Sequence, residues 1–259
     1  MDLAEFALKK TLNSVPYDKV LIFTNKNLNL DFVGKENCTK CYNIPDKFNV
    51  IDWNIFIAKH LVDYVETDHC IIIQPDGFAV NKQYWRDSYL NYDFIGSPTC
   101  IHNPKVYLSF KVLGLQEDEY NCSSVFNGAG GFTMRSKKFL LAAKNFDVGE
   151  NGNFSEDFLL AVRHRKKLIS EYDIKFADLD TSFLFSQEDI DLGGHTLGFH
   201  GIHNIPCYLN EIDCVPYIDR LKINNSNKIT MVMKLASNLK MRNYKDADCL
   251  LSQKIASHF

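Results

Sequence analysis

Short apolar runs alternate with amphipathic stretches along the chain, and the two patterns divide it into elements. Residues 2–13 set Leu3, Phe6, Ala7 and Leu12 among charged positions at helical spacing, which predicts an amphipathic helix. Val15-Pro16-Tyr17-Asp18 breaks it. Lys19-Val20-Leu21-Ile22-Phe23-Thr24 is a continuous apolar, β-branched run and predicts a buried strand. A loop rich in Asn and Lys follows. Phe48–Ile51 predicts another strand, and Trp53–Tyr64 predicts a helix through Phe56, Ile57, His60, Leu61 and Tyr64. Asp68-His69-Cys70-Ile71-Ile72-Ile73-Gln74 is the clearest buried strand.

Helix, strand, strand, helix, strand is the rhythm of a doubly wound α/β sheet, in which ligands collect at the C-terminal ends of strands. Gln74-Pro75-Asp76-Gly77-Phe78 lies at such an end. Further on, Tyr92–Pro98 reads as a strand running into a turn. The glycine cluster Asn127–Ser136 precedes a helix from about Lys137 to Lys144. Ser155 is a good N-cap, with Glu156 and Asp157 in the first turn of the next helix. Lys175–Ala177 reads as a late strand, and Leu192–Gly201 as a second loop or strand rich in glycine and histidine. These elements form a main domain over residues 1–223. From Asn224 the pattern changes: Ile229–Met241 and Ala247–Ile255 predict a small C-terminal helical appendage over 224–259.

Composition narrows the class. The chain has 259 residues, 46% hydrophobic and 24% charged, which suits one large globular domain with a small addition. A net charge of −3 gives no global field for nucleic acid, so none is expected as a partner. The appendage differs locally: Lys228, Lys234, Lys240, Arg242, Lys245 and Lys254 face only Asp246 and Asp248. Its plain role is to pack an apolar stripe on the main domain; peripheral membrane contact or self-association is the alternative. Eight cysteines are scattered, and only Cys38 and Cys41 are closely spaced, with no second pair to complete a zinc site. The N-terminus lacks a basic region followed by an apolar run, so no signal peptide is expected and the thiols read as free. No apolar run reaches the roughly 20 residues that span a bilayer.

Four places carry candidate chemistry. Asp76, just past a buried strand and before a glycine, places a carboxylate where a hard cation such as Mg²⁺ or Mn²⁺ binds; Pro-Asp-Gly is also plain turn chemistry. Gly128, Gly130 and Gly131 permit close approach of backbone to a ligand, or simply a tight turn. Glu156 and Asp157 complement a helix dipole, or supply a general base; side chains about 100° apart on a helix leave one of them facing the site, and Asp157 is preferred. His200, in Gly198-Phe199-His200-Gly201, is a metal ligand, a phosphate partner or a structural histidine, with His195 and His203 close by.

Taken in order, Ile73–Phe78, Tyr92–Pro98, Asn127–Ser136, Ser155–Asp157 and Gly198–Gly201 resemble a family of bacterial and viral glycosyltransferase-like domains related to GT-A galactosyltransferase-like enzymes. The resemblance covers roughly residues 1–205. It implies an α/β fold with a GT-A (Rossmann-like) mixed sheet flanked by helices, a nucleotide-sugar donor, a divalent metal and an acceptor hydroxyl on a glycan or glycolipid. Gln74-Pro75-Asp76 stands in the place of the family's DxD motif, so Gln74 replaces one carboxylate. By resemblance Asp76 and His200 hold Mn²⁺ or Mg²⁺, and Gln74, Gly128, Gly130, Gly131, Phe132 and Arg135 line the donor and acceptor. Asp157 or Glu156 is then the base. The implied setting is cytoplasmic, at the inner membrane face, in lipopolysaccharide or capsule synthesis. The rival expectation is a non-catalytic module that binds a nucleotide sugar or a partner on the same scaffold.

Overall fold

The computed structural model describes residues 2–25, 38–100, 125–148, 155–221 and 229–257. Cys122 and the start of the appendage, residues 224–228, lie outside them, as do the side chains of Cys38, Cys41 and Cys100.

Helix α1 (Leu3–Leu12) begins where the Asp2 carboxylate accepts from the Ala4 N–H. It leads to β1 (Lys19–Thr24), which pairs in parallel with β2 (Cys38–Asn43). Helix α2 (Val50–Ile55) follows where the sequence predicts a strand over Phe48–Ile51. A capping box decides this: Asn49 accepts from the N–H groups of Ile51 and Asp52, and the Asp52 carboxylate accepts from the Asn49 N–H. Three satisfied N–H groups outweigh the weak β preference of Val50 and Ile51. The helix continues through a wider turn, Phe56–His60, and a tight one, Leu61–Asp63.

The second sheet is antiparallel, in the order β3 (His69–Ile72), β6 (Val125–Ser136), β5 (Phe94–Cys100). The third joins β4 (Gly77–Ala79) antiparallel to β8 (Gly198–His200), and β8 parallel to β7 (Ser186–Gln187). The fold is therefore mixed α/β, but the doubly wound parallel sheet expected from the element rhythm is not formed among the described residues. The reason lies in β6. The glycine cluster, for which a tight turn is one of the two sequence readings, is part of this long strand, and β6 returns antiparallel between β3 and β5. The late strand expected at Lys175–Ala177 is reduced to a single bridge between Phe94 and Phe176.

Helices α3 (Lys137–Ala143), α4 (Glu156–Phe158), α5 (Arg165–Tyr172) and α6 (Leu179–Phe185) surround the second sheet. Ile57, Phe94, Phe139, Leu160 and Leu168 form its core. Helices α7 (Ile205–Tyr208), α8 (Glu211–Arg220), α9 (Ile229–Met241) and α10 (Lys245–Ala256) form the C-terminal part. Leu235, Leu239 and Leu251 are buried in one cluster with Phe6 of α1, Phe78 of β4 and Phe199 of β8. The helical C-terminus thus shares a core with the third sheet. No helix among the described residues is long and apolar enough to cross a membrane.

Candidate functional site

The second and third sheets meet at glycines. Gln74 and Gly77 exchange hydrogen bonds (N···O 2.8 and 3.0 Å), which closes Gln74–Gly77 into a tight turn and starts β4. Asp76 is at its tip, half-buried, and its carbonyl accepts from the Gly201 N–H at 2.8 Å. Gly77 pairs with His200 across the third sheet. A Cβ on Gly77 would stand 2.7 Å from the Gly131 carbonyl oxygen and 2.9 Å from the His200 ring. A Cβ on Gly131 would run into that same ring, and one on Gly130 would lie 2.6 Å from the Asp157 Cβ. Three missing side chains therefore let the His200 imidazole and the Asp157 carboxylate rest against the backbone of β6. The turn reading of Asp76 is met by this geometry.

Glu188, which no sequence pattern singled out, completes this group. Its Oε1 pairs with His200 Nδ1 at 2.9 Å, the side chains of His200 and Glu188 being 23% and 20% exposed. Its Oε2 is buried with no hydrogen-bond partner among the described residues. Burial pulls the His200 pKa down. The charge and hydrogen bond of Glu188, with the charges of Asp76 and Asp157, more than offset it and push the pKa up to about 9. His200 is thus an imidazolium at neutral pH with three carboxylates in its field, which leaves the group net negative. The Tyr217 hydroxyl is buried nearby without a partner among the described residues, and burial followed by the Asp76 charge pushes its pKa up. Glu188 sits in an acid-rich loop that reads as solvated in the sequence, and nothing in its spacing links it to His200.

Of the remaining expected site residues, Arg135 and Glu156 pair with each other. Arg135 is fully buried and donates from Nη2 to both oxygens of Glu156, at 2.9 and 3.3 Å, with its guanidinium 5.5 Å from the Phe94 ring centroid. Burial pushes the Glu156 carboxyl up, to about 7, against the opposing pull of Arg135. That pair is spent on holding α4 to β6. Asp157, the neighbour, is half-buried, and its Oδ1 accepts from the Phe158 N–H at 2.8 Å. Phe132 is buried and stacked on Phe185 at 4.8 Å, as core. Gly128 is buried in β6. Gln74 contributes its backbone to the turn.

The donor set can be tested against a divalent cation. Among the described residues no group of three or more His, Cys, Asp and Glu side chains is arranged to hold one. A free-standing protein cage is therefore not built. Mg²⁺ sites, however, commonly use one or two carboxylates and complete their shell with substrate phosphate and water. Asp76, half-exposed in a net-negative group beside His200, fits that lighter kind of site.

No curated protein matches the chain. A family model described as Protein of unknown function (DUF5672) matches residues 54–200, a span that runs from α2 to His200 and contains every candidate above.

Proposed function

We propose a glycosyltransferase activity for this chain, which belongs to the family described as Protein of unknown function (DUF5672). One observation carries the reading: Asp76, Asp157 and His200, drawn from three separate segments, converge on Gly77, Gly130 and Gly131. A GT-A-like frame is part of the proposal and is supported by the parallel β1–β2 pair and the mixed third sheet. The donor is a nucleotide sugar, and the acceptor is a hydroxyl on a glycan or glycolipid. We place the reaction in surface-glycan synthesis on the cytoplasmic side.

Asp157 takes the proton of the acceptor hydroxyl as its oxygen forms a bond to the anomeric carbon. The bond from that carbon to the diphosphate oxygen breaks, and the diphosphate leaves with the electron pair. The glycine-lined backbone of β6 allows the sugar to approach without side-chain obstruction. The His200 imidazolium, held at Nδ1 by Glu188, supplies positive charge to the diphosphate. A bound Mn²⁺ or Mg²⁺, held by Asp76 with His200 beside it, would neutralise the same leaving group.

The test is transfer and donor hydrolysis across a panel of sugar nucleotides with added Mn²⁺ or Mg²⁺, comparing the natural chain with Asp157→Asn. Turnover that survives the substitution unchanged removes Asp157 as the base. A second reading, a binding module without catalysis, is favoured by Gln74 standing where a second carboxylate would strengthen a cation site. It predicts that a sugar nucleotide raises the melting temperature with no hydrolysis and no transfer.

A further inference from the structure

The ladder between β7 and β8 pairs Ser186 with Gly198 and Gln187 with Phe199, and there it ends. Glu188 and His200 are the next residues in the same register, one step past it. Residues in register send their side chains to the same face of a sheet. The step after the ladder therefore sets Glu188 Oε1 against His200 Nδ1, at 2.9 Å. Gly201 then turns the chain sharply, at φ 92°, a value that favours glycine. The tight turn Ile202–Asn204 brings Asn204 back to the two strand ends.

Asn204 is buried, and its side chain makes three hydrogen bonds. Nδ2 donates one hydrogen to the Glu188 carbonyl at 2.9 Å and the other to the His200 carbonyl at 2.7 Å. Oδ1 accepts from Gln187 Nε2 at 2.9 Å. Carbonyl oxygens only accept, so these neighbours fix which end of the amide is which. Gln187 is buried too. Its Oε1 accepts from the Leu192 N–H at 2.9 Å and from the Tyr208 hydroxyl at 3.1 Å, which ties down the loop that begins at Glu188. His203 Nε2 also lies 3.2 Å from the Glu188 carbonyl, so the main chain of Glu188 is held twice.

Two buried amides are a demanding choice for this corner. A polar group left dry and unpaired is destabilising, and a leucine of similar size carries no such demand. What the amides supply is fixed geometry, because a fully bonded buried network specifies one arrangement. Here that arrangement sets the main chains on both sides of the His200–Glu188 pair. With Nδ1 held by Glu188, the opposite edge of the ring rests over Gly131, where a Cβ would strike Nε2 and Cδ2.

We infer that Asn204 is a positioning residue of the candidate site. By holding the carbonyls of Glu188 and His200 together it keeps Nδ1 on the carboxylate and directs the Nε2 edge of the ring at the glycine seam. It touches no ligand itself. The inference rests on the proposed function for the class of ligand, a nucleoside diphosphate, and on the hydrogen bonds alone for the positioning.

The experiment compares the natural chain with Asn204→Ala and Asn238→Ala. The second variant removes a bond of the same kind, from Asn238 Nδ2 to the His203 carbonyl at 2.8 Å, one residue away and on neither strand. The first readout is exchange of the His200 Nδ1 proton with water, followed by NMR at neutral pH. Asn204→Ala should speed it by about tenfold or more, and Asn238→Ala should leave it unchanged. The second readout is affinity for a panel of nucleoside diphosphates with Mg²⁺, by calorimetry. Asn204→Ala should weaken it by about tenfold, as loss of an orienting partner does. Equal exchange in all three proteins, or equal acceleration in both variants, overturns the inference, and so does full diphosphate affinity in Asn204→Ala. A natural chain that binds none of the panel refutes the proposed function, and the exchange comparison then decides the positioning by itself. If Asn204→Ala does not fold, the natural chain decides through couplings across the hydrogen bonds from Asn204 Nδ2 to the Glu188 and His200 carbonyl carbons. Both present supports the inference; either absent overturns it.

Discussion

Glu156 and Asp157 are adjacent in sequence, and the structure gives them opposite prospects on substitution. Glu156→Gln keeps shape and, at a pH above the carboxyl's value of about 7, removes one charge. Arg135 then remains fully buried, with Nη1 already unpartnered among the described residues and Nε only 3.3 Å from Thr133 Oγ1. The side chains of Arg135 and Glu156 are 0% and 5% exposed, so solvent screens neither. Breaking a buried pair of this kind costs about 3–5 kcal/mol, because the remaining charge is left without compensation. For a chain of this size that lowers Tm by about 6–20 °C. Asp157→Asn removes a half-buried carboxylate that accepts from the Phe158 N–H and whose charge acts on His200, and should cost much less, about 1 kcal/mol or under. The assay is urea and thermal unfolding of both variants, with the double replacement Arg135→Met/Glu156→Leu as a third. Replacing a buried pair by apolar side chains of similar volume is often neutral or stabilising, so the double variant should recover most of the loss. A Glu156→Gln protein as stable as the natural chain would refute the structural role of the pair.

Other outcomes follow from the same geometry. Asp157→Asn should lower kcat by about 10²–10⁴-fold while leaving donor affinity near its original value, measured by steady-state kinetics beside thermal shift. Gly131→Ala drives a methyl group into the His200 ring; overpacking costs about 1–3 kcal/mol and should also weaken donor binding, read by calorimetry. Glu188→Gln should bring the His200 pKa down from about 9 toward its ordinary value, followed by NMR titration. The sign for stability is fixed by the direction of that shift. His200 is raised, so its contribution is complete below the unfolded value of about 6.5 and is lost as pH rises through about 9. Natural-chain stability should fall across that window, and the fall should flatten in Glu188→Gln.

The pattern of apolar positions located α1, β1, β3, α3 and the two C-terminal helices, because each is long or strongly periodic. It found the helix over Trp53–Tyr64 but misplaced the start, reading Phe48–Ile51 as a strand, where a side-chain capping box outweighed two β-branched residues. It also missed the sheet arrangement. Nothing local in Asn127–Ser136 says that five residues with three glycines continue a strand, since that depends on β3 and β5 lying on either side. The candidate site was partly legible. Asp76, Asp157 and His200 each had an unremarkable alternative, and only their order along the chain linked them. Glu188 was not legible, because its partner is a contact between the end of β7 and the end of β8. Arg135 and Phe132 read as ligand-facing in the sequence, yet they lie on opposite faces of β6, both of which are covered, and both are buried.

The glycines explain why these side chains come together. Gly77 belongs to the third sheet, Gly130 and Gly131 to the second, and the two sheets touch where all three lack a Cβ. Ordinary side chains at these positions would hold the sheets apart, as the 2.7 Å approach of a Gly77 Cβ to the Gly131 carbonyl oxygen requires. Closing the seam brings the tip of the Gln74–Gly77 turn, the first turn of α4 and the end of β8 into one electrostatic neighbourhood. It does so without placing any of the three in a hydrophobic core. The charges of Asp76, Asp157 and Glu188 then share a single imidazolium. A cluster with excess negative charge is destabilising in isolation, and becomes favourable when a cation, or a cation carried with an anionic substrate, enters. The same close approach that sets the sheet packing therefore sets the charge imbalance, and a change at Gly131 should disturb both together.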